Sequence, residues 1–128
     1  PWRNLKTSSS TRIIPLVGVS LIAIQSLMKQ SDSEFLFPSF CNQAKVKSSM
    51  ASTKLNQWLK EQTSTEYVIH SLRHTFRDRL RAIECPSEII NELGGWTKTS
   101  IGESYGDSYP LKVKYEQLLK ITDVEMYE

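Results

Sequence analysis

Apolar residues recur at intervals of three and four positions in five stretches of the chain, and this spacing predicts five helices. The first stretch is apolar on most of its sides, which predicts a mostly buried helix. Between the first and second stretches, an apolar patch ends at Pro38 and a polar run follows, which predicts a loop. The predicted helices cover residues 19–30, about 49–62, about 71–84, about 86–93 and the chain from about residue 110.

The third stretch gives the clearest helical pattern. Its apolar residues follow one another at intervals of four, four and three, so they share one side of a helix. We expect this side to face the core. The stripe consists of Leu72, Phe76, Leu80 and Ile83.

Residues that favour helix ends delimit the fourth and fifth helices. Pro86 suits the first turn of the fourth helix, and Gly94 with Gly95 suits its end. Pro110 stands near the beginning of the fifth helix. The apolar stripe expected on this last helix consists of Leu111, Tyr115, Leu118 and Leu119.

The first 17 residues predict a β-hairpin. Residues 2–5 and 11–16 have the composition of strands, and the polar residues 6–10 between them predict an exposed tip. The expected fold class is therefore mainly α with a small N-terminal β-hairpin, an α+β arrangement.

The composition indicates one small folded domain. Of the 128 residues, 39% are hydrophobic, which suffices for a modest core and excludes a disordered or collagen-like chain. The net charge is only +2, so the placement of basic residues, rather than their total, has to indicate a nucleic-acid partner. The chain begins at Pro1 without an initiator methionine, and we therefore expect it to be part of a longer protein.

Several kinds of site and location are not indicated by the sequence. Two cysteines, Cys41 and Cys85, are too few and too scattered for a disulfide framework or a zinc site. No stretch reaches the roughly 20 apolar residues that cross a bilayer. There is also no secretory signal, and together these features favour a cytoplasmic location.

One side of the third predicted helix is basic. His70, Arg73, Arg77 and Arg81 follow one another at helical intervals opposite the apolar stripe. A guanidinium group can donate two parallel hydrogen bonds to a phosphate, so this side suits a phosphate-containing ligand. The alternative is an ordinary solvated basic face. His70 and His74 also have the spacing of a metal pair, but no third ligand accompanies them.

The sequence HSLRHTF at residues 70–76 resembles the HxLRHTF box of the tyrosine recombinases, also called phage integrases. Gly-Gly-Trp at residues 94–96 resembles the family's Leu-Gly-His or Trp element, and Ser-Tyr-Gly at 104–106 resembles the segment of its nucleophilic tyrosine. The order and the intervals of 26 and nine positions between His70, Trp96 and Tyr105 are similar to those of the family. Residues 5–7 and 12–16 resemble the hairpin with the catalytic lysine.

The resemblance covers nearly the whole chain and implies the C-terminal portion of a catalytic domain, with a partial core like that of the DNA breaking-rejoining enzymes. Residues 1–17 would form the lysine hairpin, residues 70–105 the catalytic segment, and residues 110–128 the C-terminal helix and tail.

The resemblance implies a role for each matching residue. Tyr105 would attack the scissile phosphate, forming a 3′-phosphotyrosyl link and a free 5′-hydroxyl. Arg73 would stabilise the charge that develops on the phosphate oxygens, and His70 would assist proton transfer and phosphate positioning. Lys6 would protonate the departing 5′-oxygen, and Trp96 would donate its indole N–H to the phosphate. No metal or other cofactor is implied.

Each role has a plainer alternative. Tyr105 competes with the nearby Tyr109 as nucleophile, and spacing favours Tyr105. Trp96 could be a core residue, and Lys6 could be an ordinary turn lysine. Arg77 and Arg81 are expected to contact the DNA backbone or solvent rather than to act in catalysis, and His74 is expected to support the helix.

One family element has no counterpart in the sequence. Tyrosine recombinases carry a first catalytic arginine upstream of the lysine hairpin, in a segment resembling TGxRxxE. Arg3 and Arg12 lie on the predicted strands and do not match it. We therefore expect these residues alone to be weak or inactive as a catalyst, although the resemblance implies an active parent protein.

The resemblance thus implies a site-specific recombinase that acts on double-stranded DNA at phage or prophage attachment sites in the bacterial cytoplasm, associated with the nucleoid. Such enzymes assemble as tetramers on DNA, and residues 110–128 could contact a neighbouring subunit or pack on their own domain. The main alternative is a non-catalytic DNA-binding or interaction fragment of a decayed integrase. A type IB topoisomerase is a third possibility, which the compact spacing of the motifs disfavours.

Overall fold

The computed structural model describes residues 10–63, 67–96 and 108–122, and these residues form five helices. All five predicted helices are confirmed, and their ends lie within one or two residues of the expected positions. The chain is therefore mainly helical, as expected. The helices are α1 (Gly18–Gln30), α2 (Ser48–Thr63), α3 (Ser71–Ala82), α4 (Ser87–Gly94) and α5 (Leu111–Lys120).

The N-terminal β-hairpin is not confirmed. Residues 11–17 have no regular secondary structure, and the other predicted strand, residues 2–5, lies outside the described residues. Pro15 has no N–H group to donate to a neighbouring strand, which weakens the strand pattern at this point. In the described part of the chain, β-pairing is limited to one isolated bridge between Cys41 and Val46.

The chain divides into two units, of which one contains described residues 10–22, 76–96 and 108–122. Its core is built around α3 and α4, where the side chains of Leu80, Ile89 and Leu93 are almost completely buried. Phe76 and Ile83 pack against this core. Three of the four residues in the predicted stripe of α3 are thereby confirmed as core or core-packing residues.

The other unit contains described residues 23–63 and 67–75 and buries little apolar surface. Leu59 in α2 is the one buried hydrophobic residue in its described part. Leu72 was predicted to belong to the core stripe, and this is wrong, because it lies in this unit and is 55% exposed.

Helix α1 was predicted to be mostly buried, and this is also wrong. None of its described side chains is buried, and Val19, Ile22 and Met28 are among the most exposed hydrophobic residues. A helix that is apolar on most sides needs neighbours on most sides. The part of the chain that the structure describes does not supply them. No described helix is long and apolar enough to cross a membrane.

Helix α3 ends two residues earlier than its apolar pattern predicts. Glu84 adopts the left-handed backbone conformation, with φ of 55°, and the N–H group of Cys85 donates to the carbonyl of Leu80. This reversal closes the helix in the manner usually provided by glycine or asparagine. It directs the chain into Pro86 and α4.

Helix α5 buries a different side from the one predicted. Leu118 is buried, but Leu111, Tyr115 and Leu119 are 49%, 43% and 39% exposed. These three residues are spaced by four and form an outward apolar stripe. The inward side instead contains Lys114, whose side chain is buried because it has a carboxylate partner on α4.

Candidate active site

The HxLRHTF box begins in the turn before α3 and continues into its first turns. The N–H groups of Ser71 and Arg73 donate to the carbonyls of Val68 and His70, at 2.8 and 3.1 Å. The hydroxyl of Ser71 accepts from the N–H of Val68 at 3.4 Å. These hydrogen bonds form the N-terminal end of α3. His70 is exposed there, and Arg73, one turn later, is half-buried.

Asn56 in α2 supports this entry. Its side-chain oxygen accepts a hydrogen bond of 2.7 Å from the N–H of Ile69, the residue before His70. Sequence reasoning missed this contact. The sequence did contain a sign of this contact, because Asn56 is three positions before the buried Leu59 and so lies on the same side of α2. An asparagine side chain readily forms hydrogen bonds with backbone groups, and here it accepts one from the turn before α3.

The two histidines of the box lie next to each other. The rings of His70 and His74 meet edge to face, with 5.6 Å between their centroids. In the described ranges 10–63, 67–96 and 108–122, no group of three or more potential ligands is placed to hold a metal ion. The histidine pair therefore stands without a third ligand in that part of the chain.

Arg77 and Arg81 continue along α3 but differ in their surroundings. Arg81 is exposed and lies 3.9 Å from the carboxylate of Asp78. Arg77 is half-buried, and its guanidinium carbon lies 5.2 Å from the ring centroid of Trp96. The Nε atom of Arg77 is buried, and it has no hydrogen-bond partner among the described residues.

Gly94, Gly95 and Trp96 form a fixed turn at the end of α4. Gly95 has a φ of 64°, and the N–H groups of Gly95 and Trp96 both donate to the carbonyl of Asn91. A side chain at Gly94 would overlap the six-membered ring of Trp96, so the ring lies directly against the backbone of Gly94. The ring of Trp96 thus contacts both a glycine backbone and the guanidinium of Arg77.

Arg12, which lies far from α4 in the sequence, binds the C-terminal end of that helix. The Nε atom of Arg12 donates to the carbonyl of Leu93 at 3.0 Å. Arg12 therefore satisfies one of the carbonyls that a helix end leaves without an intrahelical partner. This contact was not foreseen from the sequence.

A buried ion pair joins α4 to α5. The ammonium group of Lys114 lies 2.7 Å from Oε2 of Glu92, and their side chains are 6% and 16% exposed. Ser108 and the N–H of Tyr109 donate to the same carboxylate oxygen, at 2.8 and 3.2 Å. Burial raises the pKa of Glu92, but these hydrogen bonds and the charge of Lys114 lower the pKa more strongly, to below its ordinary value.

Lys6 and Tyr105 lie outside the described residues, so the roles expected for them stay predictions. The nearest described residue after Tyr105 is Ser108, three positions along the chain. The structure brings His70 and His74 together at the beginning of α3, and it brings Arg77 and Trp96 together beside the end of α4.

Comparison with known families decides the relationship. The family model described as "Phage integrase family" matches residues 3–111. The chain belongs to the phage integrase family. Comparisons with curated proteins and with solved structures gave no match.

The family match includes every candidate residue of this integrase, from Lys6 to Tyr105. It ends at Leu111, the first residue of α5. Lys114, which holds Glu92 from α5, therefore lies just beyond the matched part of this phage integrase family member.

Proposed function

We propose that this integrase family chain takes part in site-specific DNA recombination, in which a strand is cut and rejoined through a 3′-phosphotyrosine intermediate at Tyr105. The observation that carries the proposal is the HxLRHTF box at the beginning of α3, in a chain whose residues 3–111 match the family. A positively charged arginine at a helix entry, beside an exposed imidazole, is well suited to a phosphodiester.

In the proposed reaction, the phenolic oxygen of Tyr105 attacks the phosphorus atom and the bond to the 5′-oxygen breaks. Covalent retention of the phosphate conserves the energy of the broken bond, so rejoining needs no nucleotide triphosphate. Arg73 stabilises the charge on the non-bridging oxygens, which is usually the largest catalytic contribution in such a reaction. His70 assists removal of the phenolic proton.

Lys6 is proposed to protonate the departing 5′-oxygen. Trp96 is proposed to donate its indole N–H to the phosphate, because an indole donates but does not titrate. The contacts of the Trp96 ring with Gly94 and Arg77 support this role, since they hold the ring beside the end of α4.

We further propose that Arg77 and Arg81 lie near the DNA backbone. The exposed Arg81 is the better suited to a direct phosphate contact, because its bond to Asp78 is long and solvent-exposed. Arg77 adds positive charge while it stacks on Trp96. Binding that rests on such contacts weakens steeply as salt rises, because bound counterions are released from the DNA.

Self-association on DNA is proposed to use α5. Its outward stripe of Leu111, Tyr115 and Leu119 offers apolar side chains that the described core leaves exposed. Tyrosine is among the residues that contribute most at the centre of an interface, and burial of the two leucine side chains would add hydrophobic free energy.

The proposal is tested with a nicked suicide duplex containing the attachment site. Cleavage releases a short strand with a 5′-hydroxyl and leaves the protein linked to DNA. We expect the natural full-length protein to form this complex, Arg73→Ala to form it at least about a hundredfold more slowly, and DNA binding to change less. If the wild-type protein binds the duplex but forms no complex, the chain is a non-catalytic DNA-binding module instead.

A further inference from the structure

The described residues on either side of the segment that carries Tyr105 are bonded to the last turn of α4. Before the segment, the N–H of Trp96 donates to the carbonyl of Asn91 at 3.0 Å. After it, Ser108 and Tyr109 donate to the carboxylate of Glu92, the residue next to Asn91. Trp96 and Ser108, the described residues that flank positions 97–107, therefore bond to two consecutive residues of one helix.

Lys114 contacts both side chains of the second attachment, Glu92 and Ser108. The ammonium group of Lys114 lies 2.7 Å from both Oε2 of Glu92 and the hydroxyl of Ser108, so three groups form one closed arrangement. The lysine side chain is 6% exposed. Removing two charges from water costs free energy that their attraction only partly returns, so a buried pair is weak evidence for stability.

The attached Ser108 is close to Tyr105 along the chain. Ser108 is three positions after Tyr105 in the sequence, and an extended chain covers at most about 3.6 Å per residue. The Cα atom of Tyr105 therefore stays within about 11 Å of that of Ser108. A shift of Ser108 by even 1 Å changes the starting point from which the phenolic oxygen reaches the phosphate.

We propose that Glu92 and Lys114 are positioning residues for the nucleophilic tyrosine. They fix Ser108 and Tyr109 on α4 and thereby restrict the approach of Tyr105 to the scissile phosphate. This inference rests on the proposed function, because it takes Tyr105 as the nucleophile.

The test compares the rate of strand cleavage with DNA affinity and with folding. Glu92→Gln and Lys114→Met are made in the natural full-length protein, with Glu88→Gln and Lys112→Met as matched controls on the same two helices. Glu88 lies one turn before Glu92, and Lys112 is exposed on α5. The rate of covalent complex formation is measured at saturating duplex, well below the melting temperature of each variant.

We expect the two variants to cleave about ten to a hundred times more slowly, since small displacements of a reacting group have effects of this size. Their Kd for DNA should stay within about twofold of the wild-type value, and both controls should cleave at the wild-type rate. Because Lys114→Met could fail to fold, Ser108→Ala provides a milder variant. It removes the hydroxyl that donates to Glu92 and accepts from Lys114, and it should slow cleavage less than Glu92→Gln or Lys114→Met does.

Three outcomes would overturn the inference. Unchanged cleavage rates in folded variants would show that the pair does not position the tyrosine. A parallel loss of DNA binding and cleavage would show that the pair supports the DNA-binding structure in general and does not act on the tyrosine in particular. In both cases wild-type protein still forms the Tyr105 complex, so the proposed function stands. If the wild-type protein forms no such complex, the proposed function fails, and the inference fails with it.

Discussion

Trp96 shows how single residues determine the local geometry of the candidate site. Its ring needs a flat surface on one side, and Gly94 supplies this because it has no Cβ atom. Gly95 then turns the chain through the left-handed conformation that brings the ring back over the helix end. The guanidinium carbon of Arg77 lies 5.2 Å from the ring centroid, a distance at which a guanidinium attracts an aromatic ring. The two adjacent glycines therefore have different roles: Gly94 leaves space for the ring, and Gly95 adopts the left-handed turn.

The first prediction concerns Gly94→Ala. In an ordinary helix this change is stabilising, because alanine is the better helix former. Here the added methyl group would overlap the ring of Trp96, and we expect the free energy of unfolding to fall by about 1–3 kcal/mol. Urea unfolding measures it. In a Trp96→Ala background the same change should be neutral or stabilising, and an equal loss in both backgrounds would contradict the account.

The second prediction separates Arg77 from Arg81. Arg77→Ala loses the stacking contact and should lower the free energy of unfolding by about 1 kcal/mol. Arg81→Ala should change it by less than about 0.5 kcal/mol, because its bond to Asp78 is long and exposed. In DNA titrations at several salt concentrations, Arg81→Ala should reduce the slope of the logarithm of the binding constant against the logarithm of salt concentration by about one. Equal stability losses, or an unchanged slope for Arg81→Ala, would contradict this assignment.

At the scale of helices, ends were easier to predict than buried faces. Pro86 and Gly95 indicated the limits of α4 correctly, because each residue has a backbone preference that few environments override. The faces of α1 and α5 depend on which neighbours are present. Lys114 shows this most clearly, since a lysine in an amphipathic pattern indicates the solvent side unless a carboxylate on another helix is known.

The third prediction concerns the ion pair between α4 and α5. Lys114→Met keeps the size of the side chain but leaves the carboxylate of Glu92 without its cation. We expect the free energy of unfolding to fall by about 3 kcal/mol, measured by urea unfolding at neutral pH. The exposed Lys112→Met is the control and should change it by less than about 0.5 kcal/mol. In the Glu92→Gln background, the loss caused by Lys114→Met should be smaller. A loss of the same size in both backgrounds would show that the two residues do not interact.

The fourth prediction is a pH dependence caused by Glu92. Its pKa is lowered in the folded chain relative to the ordinary value of 4.5, so the ionised carboxylate favours folding. This stabilisation is fully present above about pH 4.5, and it is lost as pH falls through the lowered pKa. The difference in free energy of unfolding between wild type and Glu92→Gln should therefore shrink from pH 6 to pH 3. A difference that stays constant over this range would contradict it.

For the molecule as a whole, the sequence predicted where the helices lie along the chain well, but it predicted poorly which residues pack against one another. The helical fold class follows from spacing alone, whereas the exposure of α1 and Leu72 depends on contacts between distant parts of the chain. His70, Arg73 and Trp96 could be proposed as site residues from the sequence because the family box and its intervals are specific, and their roles stay predictions. Asn56, Arg12 and the Glu92 network could not, because each acts through a partner that is distant in sequence.

The central claim is that Tyr105 is the nucleophile of a DNA strand-transfer reaction, and peptide mapping of the covalent complex tests it most directly. The natural full-length protein is trapped on a nicked suicide duplex and digested, and the nucleotide-bearing peptide is sequenced by mass spectrometry. We predict that the nucleotide is attached to Tyr105, that Tyr105→Phe forms no complex, and that Tyr109→Phe still does. A nucleotide attached to Tyr109, or a complex formed by Tyr105→Phe, would contradict the account.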